Sequence, residues 1–185
     1  MFKRLFGRER NATLALVDAL YGQIVAAARR PVLYADWQVP DTPLGRYEMI
    51  SLHLFLLLHR LRGETGPIRE VAQELTDRHF AELEYSIREL GIGDMGVPKR
   101  MKTLARMFYG RVKSYGDALD EADSAALVTA IARNVRPTET TWTQAADLAV
   151  YAERARRSLG DQPVSAFLGG VIAFPDPSRP VEAVS

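Results

Sequence analysis

The stretch WQVPDTPLGRYEMISLHLFLLLHRL, residues 37–61, decides the fold. Thr42 followed by Pro43 reads as a helix N-cap and first helical residue, because threonine can accept from a free backbone N–H and proline lacks the N–H that would go unpaired. The helix so started is apolar on nearly every side and stops at Gly63. A helix apolar all round belongs inside a protein, with other helices packed around it. Upstream, Tyr34, Trp37, Val39 and Pro40 form an aromatic, proline-bracketed segment expected to be irregular.

Working outward, apolar periodicity of helical length recurs along the chain, and no alternating β-branched run bounded by turns argues for a sheet. The expected class is all-α: a single-domain bundle of about six helices, with the irregular aromatic loop between the first two. Expected helices run from about Asn11 to Arg30, Pro43 to Arg62, Pro67 to the turn at Gly91, Val97 to Leu119, Asp123 to Asn134, and from the Thr138–Thr141 region to Leu159. Short helical structure around Val164–Leu168 follows. One folded unit over residues 11–170 leaves a mobile basic N-terminus at 1–10 and a mobile tail at 171–185, where Pro, Asp, Ser and Arg dominate.

Composition narrows the function. The chain has 185 residues, 47% hydrophobic, with a formal net charge of +1, so it offers no global attraction to nucleic acid or anionic lipid. It has no cysteine, which removes disulfides, thiolate catalysis and cysteine-ligated metal sites. The longest uninterrupted apolar run, Leu54 to Leu58, is far short of the roughly 18 residues of a spanning helix, and no secretory h-region follows the first basic residues. A cytoplasmic protein is expected. In MFKRLFGRER, Phe2, Leu5 and Phe6 lie among Lys3, Arg4, Arg8 and Arg10, a pattern able to touch an anionic membrane surface.

Several motifs reduce to structure. Gly91, Gly93 and Gly96 spell GIGDMG, a literal GxGxxG, but a helix precedes them where a dinucleotide site needs a strand. They read as a helix-to-helix turn. The three histidines, His53, His59 and His79, never stand in a Glu-x-x-His pattern, and no catalytic elbow, P-loop or paired acid and base is present. No catalytic residue, metal site or cofactor is expected. Arg46, Glu48 and His53 are polar residues in a strongly apolar helix and must find partners, either as core hydrogen bonds or in a binding groove.

From Val97 to Tyr115 the chain carries six basic and no acidic residues. Met101, Leu104, Ala105, Phe108, Val112, Tyr115 and Leu119 form one apolar stripe of that helix, while Lys99, Lys102, Arg106 and Lys113 gather on a separate arc of about 60°. The arc can meet phosphate of ribosomal RNA, an anionic membrane surface or an acidic protein, or can pair with Asp117, Asp120 and Glu121 within the fold.

These same blocks carry a resemblance. VPDT at 39–42, GRYEMISLH at 45–53, DMGVPKRMK at 94–102, FYGR at 108–111 and, more weakly, ARNV at 132–135 resemble the ubiquinol-cytochrome c chaperone family over about residues 16–136. The resemblance implies a helical assembly chaperone that receives newly synthesised cytochrome b and supports biogenesis of respiratory complex III. Mitochondrial members act with a small partner subunit at the ribosomal exit tunnel; the serine-free opening of this chain lacks a transit-peptide pattern and looks like that of a bacterial relative. With that role in view, Trp37, Tyr47, Met49, Met101, Phe108 and Tyr109 are expected to meet the client, Arg46, Glu48 and His53 to shape its site, and Lys99, Arg100, Lys102, Arg106 and Lys113 to dock on ribosome or membrane. A helical carrier of a lipid or quinone, with the same apolar helices around an internal cavity, is the alternative.

Overall fold

A computed structural model describes residues 2–178, with side chains from residue 10 onward. The described residues form eight helices and no strand: α1 (Phe2–Ala28), α2 (Pro31–Ala35), α3 (Pro43–Leu61), α4 (Pro67–Glu89), α5 (Val97–Asp120), α6 (Ser124–Val135), α7 (Ala145–Gly160) and α8 (Val164–Leu168). The all-α expectation holds. The Thr42 side chain accepts from the Gly45 N–H as expected of its cap, and Asp123 caps α6 through the Ala126 N–H.

Glycine is required at position 45 for a separate reason, since a Cβ there would lie 1.9 Å from the Pro40 carbonyl oxygen. The loop therefore folds back directly onto the first turn of α3. At Gly91 the backbone has φ +78°, the left-handed conformation that ends α4.

α3 is the axis. Tyr47, Met49, Leu52, Leu54, Phe55, Leu56 and Leu57 are all buried, and the helix packs against α1, α4, α5, α6 and α7. Those five surround it in the order α1, α4, α5, α6, α7, each packed on the next. The gap between α7 and α1 is bridged by the chain end. The Gln23 amide of α1 donates to the Gly170 carbonyl and accepts from the Ile172 N–H, and Gln162, just beyond α7, donates to the Ala173 carbonyl and accepts from its N–H. Ile172 and Phe174 are buried beneath, with Phe174 edge-on to the His53 ring at 5.0 Å.

Four expectations are thereby corrected. α1 begins at Phe2, so the basic opening is helical where a mobile N-terminus before a helix from about Asn11 was expected. The aromatic loop contains a helical turn, α2, started by Pro31. α7 begins at Ala145, after a loop, rather than near Thr138–Thr141. Residues 171–178 form a bound strap where a mobile tail was expected, because two glutamines supply the hydrogen bonds a neighbouring strand would give; 179–185 lie outside the described residues. One stretch, Arg10–Ala35, is long and apolar enough by length and composition to cross a membrane, but it bends after Ala28 and its Val17, Leu20, Tyr21 and Ile24 are core residues.

Two histidines are sealed inside. His53 donates from Nδ1 to the Met49 carbonyl (2.7 Å) and accepts at Nε2 from the Tyr151 hydroxyl (2.8 Å). His79 pairs with the Tyr21 hydroxyl at 3.1 Å and lies among Tyr47, Phe80 and Phe108. Burial lowers both to about 4 from the ordinary 6.5. A lowered histidine leaves the unfolded chain binding the extra proton between those values, so its stabilisation is complete above pH 6.5 and is lost as pH falls toward 4. Urea midpoints should fall across that window, each histidine contributing up to about 1.4 kcal/mol per pH unit. His79→Leu should flatten the slope, and an unchanged slope would contradict this reading.

Candidate functional site

The helical periods that build the core leave a groove at one end of the molecule, where the start of α3, the end of α4 and the start of α5 meet. It has a volume of about 560 Å³. Leu44 comes from α3, Leu83, Ile87 and Leu90 from α4, Ile92 from the turn, and Leu104 from α5, with Tyr47 also on the wall. Lys99 and Arg100 stand at its rim. Leu44 is 46% and Leu90 63% exposed, so the groove presents apolar side chains to solvent.

The groove's shape is fixed by two clamps between α3 and α5. Tyr47 donates to the Leu104 carbonyl at 2.9 Å, and burial pushes its hydroxyl up to about 12, so it stays protonated. At the next residue of α3, about two turns further along α5, the Arg111 Nε and Nη2 donate to the two Glu48 carboxylate oxygens, both at 2.5 Å. Both side chains are buried. Burial raises the Glu48 carboxyl against the pull of Arg111, whereas at Arg111 burial works toward the neutral form and is outweighed only by the Glu48 hydrogen bond together with the charges of Glu48, Tyr115 and Tyr47, raising the guanidinium. These directions oppose one another, and the bidentate contact decides for the ionised pair, because it requires a carboxylate. The Arg111 guanidinium also lies 5.8 Å from the Tyr47 ring centre.

Several residues expected to meet a partner are placed in the core. Met49, His53 and Phe108 are fully enclosed, and Tyr47 and Glu48 turn inward to the partners just described, so core pairing is what their polar atoms do. Trp37 is half-buried against Tyr151, with its carbonyl accepting from the Trp142 indole. Arg46 lies on the surface in an ion pair with Asp41 at 2.7 Å. Met101 is half-buried, and Tyr109 is exposed beside Phe80.

The basic face divides as well. Lys113 pairs with Asp117 at 2.7 Å, and Asp120 is taken by Arg62 and His59. Lys99, Arg100, Lys102 and Arg106 are exposed and have no ion-pair partner among the described residues. Lys99 and Arg100 fall in the first turn of α5, which contains no acidic residue. Cations there oppose the helix dipole, which at a helix start favours anions. Of the groove lining, sequence reasoning had singled out Tyr47, Lys99 and Arg100, and it did not bring together Leu44, Leu83, Ile87, Leu90, Ile92 and Leu104 as one surface. Among the described residues no cluster of three or more His, Cys, Asp or Glu could hold a metal.

The described residues thus form a helical ring around α3, with an apolar groove where α3, α4 and α5 meet. The sequence model described as ubiquinol-cytochrome C chaperone matches residues 35–174, and the chain belongs to that family. Its fold is similar to the crystal structure of the Cbp3 homolog from Brucella abortus, at 50% identity and a TM-score of 0.88, covering 97% of this chain and 99% of that one. No curated protein sequence matches the chain.

The α3–α5 clamp can be tested by unfolding. Glu48→Ala strands the Arg111 charge in the interior and should cost about 3–5 kcal/mol. The double variant Glu48→Leu, Arg111→Met should recover most of that loss. If Glu48→Ala proves nearly neutral in denaturant midpoint, the pair does not hold the two helices.

Proposed function

We propose that this protein is an assembly chaperone for the ubiquinol-cytochrome c reductase complex, and that the groove between α3, α4 and α5 holds an apolar segment of newly made cytochrome b. Family membership supports the first part. The observation that carries the second is the groove itself: exposed Leu44 and Leu90 above a floor of Leu83, Ile87 and Leu104. A client destined for the membrane presents apolar helical side chains that must be kept from water until they reach lipid. Helices lay such side chains into apolar grooves of this kind, and the interaction is broad enough to release them again.

The core is not available for that task, since α3 is filled on all sides by packed side chains. Client contact therefore falls on the groove and its rim, with Tyr47 reaching the wall from within and Lys99 and Arg100 standing over it. Tyr109 and Met101 flank the same helix and can extend the contact.

Affinity purification of the tagged protein from its own cells, under mild crosslinking, should recover cytochrome b. Leu44→Asp and Thr103→Trp, one charging the groove and the other filling it, should each lower recovery about tenfold, equivalent to about 1.4 kcal/mol of binding. Both positions are exposed, so the fold should persist. Recovery of a lipid or quinone in place of cytochrome b, or wild-type recovery of cytochrome b by both variants, would contradict the proposal.

A further inference from the structure

The turn joining α4 to α5 is the most exposed apolar point on the described surface. Met95 is 98% exposed, and Leu90 projects from the last residue before Gly91. Directly after the turn come Lys99, Arg100 and Lys102, with Arg106 one turn further, none of them ion-paired among the described residues. From Arg88 to Arg106 five basic side chains outnumber the two acids, Glu89 and Asp94, and the Asp94 carboxylate is already bound to Arg88. The start of α5 thus concentrates cations where its own dipole disfavours them, beside apolar side chains that water disfavours. Both costs vanish on one kind of surface.

We infer that this tip is a docking wedge for an anionic bilayer surface, in which Leu90 and Met95 enter the headgroup layer while Lys99, Arg100 and Lys102 meet lipid phosphates. The combination selects the partner. RNA would use the cations but leave Leu90 and Met95 in water, since they offer nothing to a phosphate or a base edge. A bilayer interface takes both at once, apolar groups below the phosphates and cations level with them. Because Leu90 also lines the groove, docking in this way opens the groove mouth toward the membrane. A segment held there would leave directly into lipid.

Flotation with vesicles tests the wedge without any client present, so its failure would leave the chaperone proposal standing. The full-length protein should float with vesicles of equimolar phosphatidylcholine and phosphatidylglycerol, should not float with phosphatidylcholine alone, and should be released by raised salt. Removing one cation, as in Lys99→Gln or Lys102→Gln, should weaken partitioning about fivefold each. Leu90→Ser with Met95→Ser, which changes no charge, should produce a comparable loss. Absence of flotation with the anionic vesicles would overturn the inference. So would normal flotation by the Leu90→Ser, Met95→Ser variant, since purely electrostatic adhesion needs no wedge. Retention on ribosomes through the same cations, with no vesicle binding, would assign the tip to RNA instead.

Discussion

A carboxylate and a guanidinium enclosed together between two helices constrain this molecule more than any other contact. Glu48 and Arg111 are each too costly to bury alone, so α3 and α5 can pack only in the register that brings them within 2.5 Å. That register also lets Tyr47 reach the Leu104 carbonyl. Once it is set, the rotation of α5 follows: Phe108 and Tyr115 face inward, Lys99, Lys102 and Arg106 face water, and a groove remains where the two helices diverge toward α4. The polar pair in the core thereby determines the apolar surface outside it.

Around this axis the remaining helices form a ring that the chain closes with its own end. Glutamines at 23 and 162 treat the strap at 170–173 much as a sheet treats an added strand, while Ile172 and Phe174 fill the space below. Phe174 rests on His53, whose hydrogen bonds join α3 to Tyr151 of α7. The interior is thus fully committed to structure. A protein of this construction binds at its edges, and the edge with the most unsatisfied chemistry is the α3–α4–α5 end. Under the proposed function, that end shelters an apolar client.

Much of the fold was legible because its signals are local. Thr42–Pro43, Gly66–Pro67 and Asp123 mark helix starts through the hydrogen bonds of a single turn, and Val164–Leu168 was found within its true limits. The start of α7 and the strap were missed because tertiary contacts fix them: Trp142 donating to the Trp37 carbonyl, and glutamines far away in sequence. Site residues divided on the same line. A helix apolar all round was rightly placed at the centre, yet that placement encloses Met49 and His53 and removes them from any external surface. The basic arc was visible from periodicity alone. The groove was not, for Leu44, Leu90 and Leu104 belong to three helices whose meeting no spacing rule encodes.

The most direct test of the account is a photo-crosslinking amino acid placed at Leu44, on the groove wall, in cells making cytochrome b, with a second probe at Tyr85, exposed on α4 but outside the groove lining, as reference. The account requires the Leu44 probe to capture newly synthesised cytochrome b and the reference probe to capture markedly less. Equal capture from both positions, or capture only away from the groove, would contradict it.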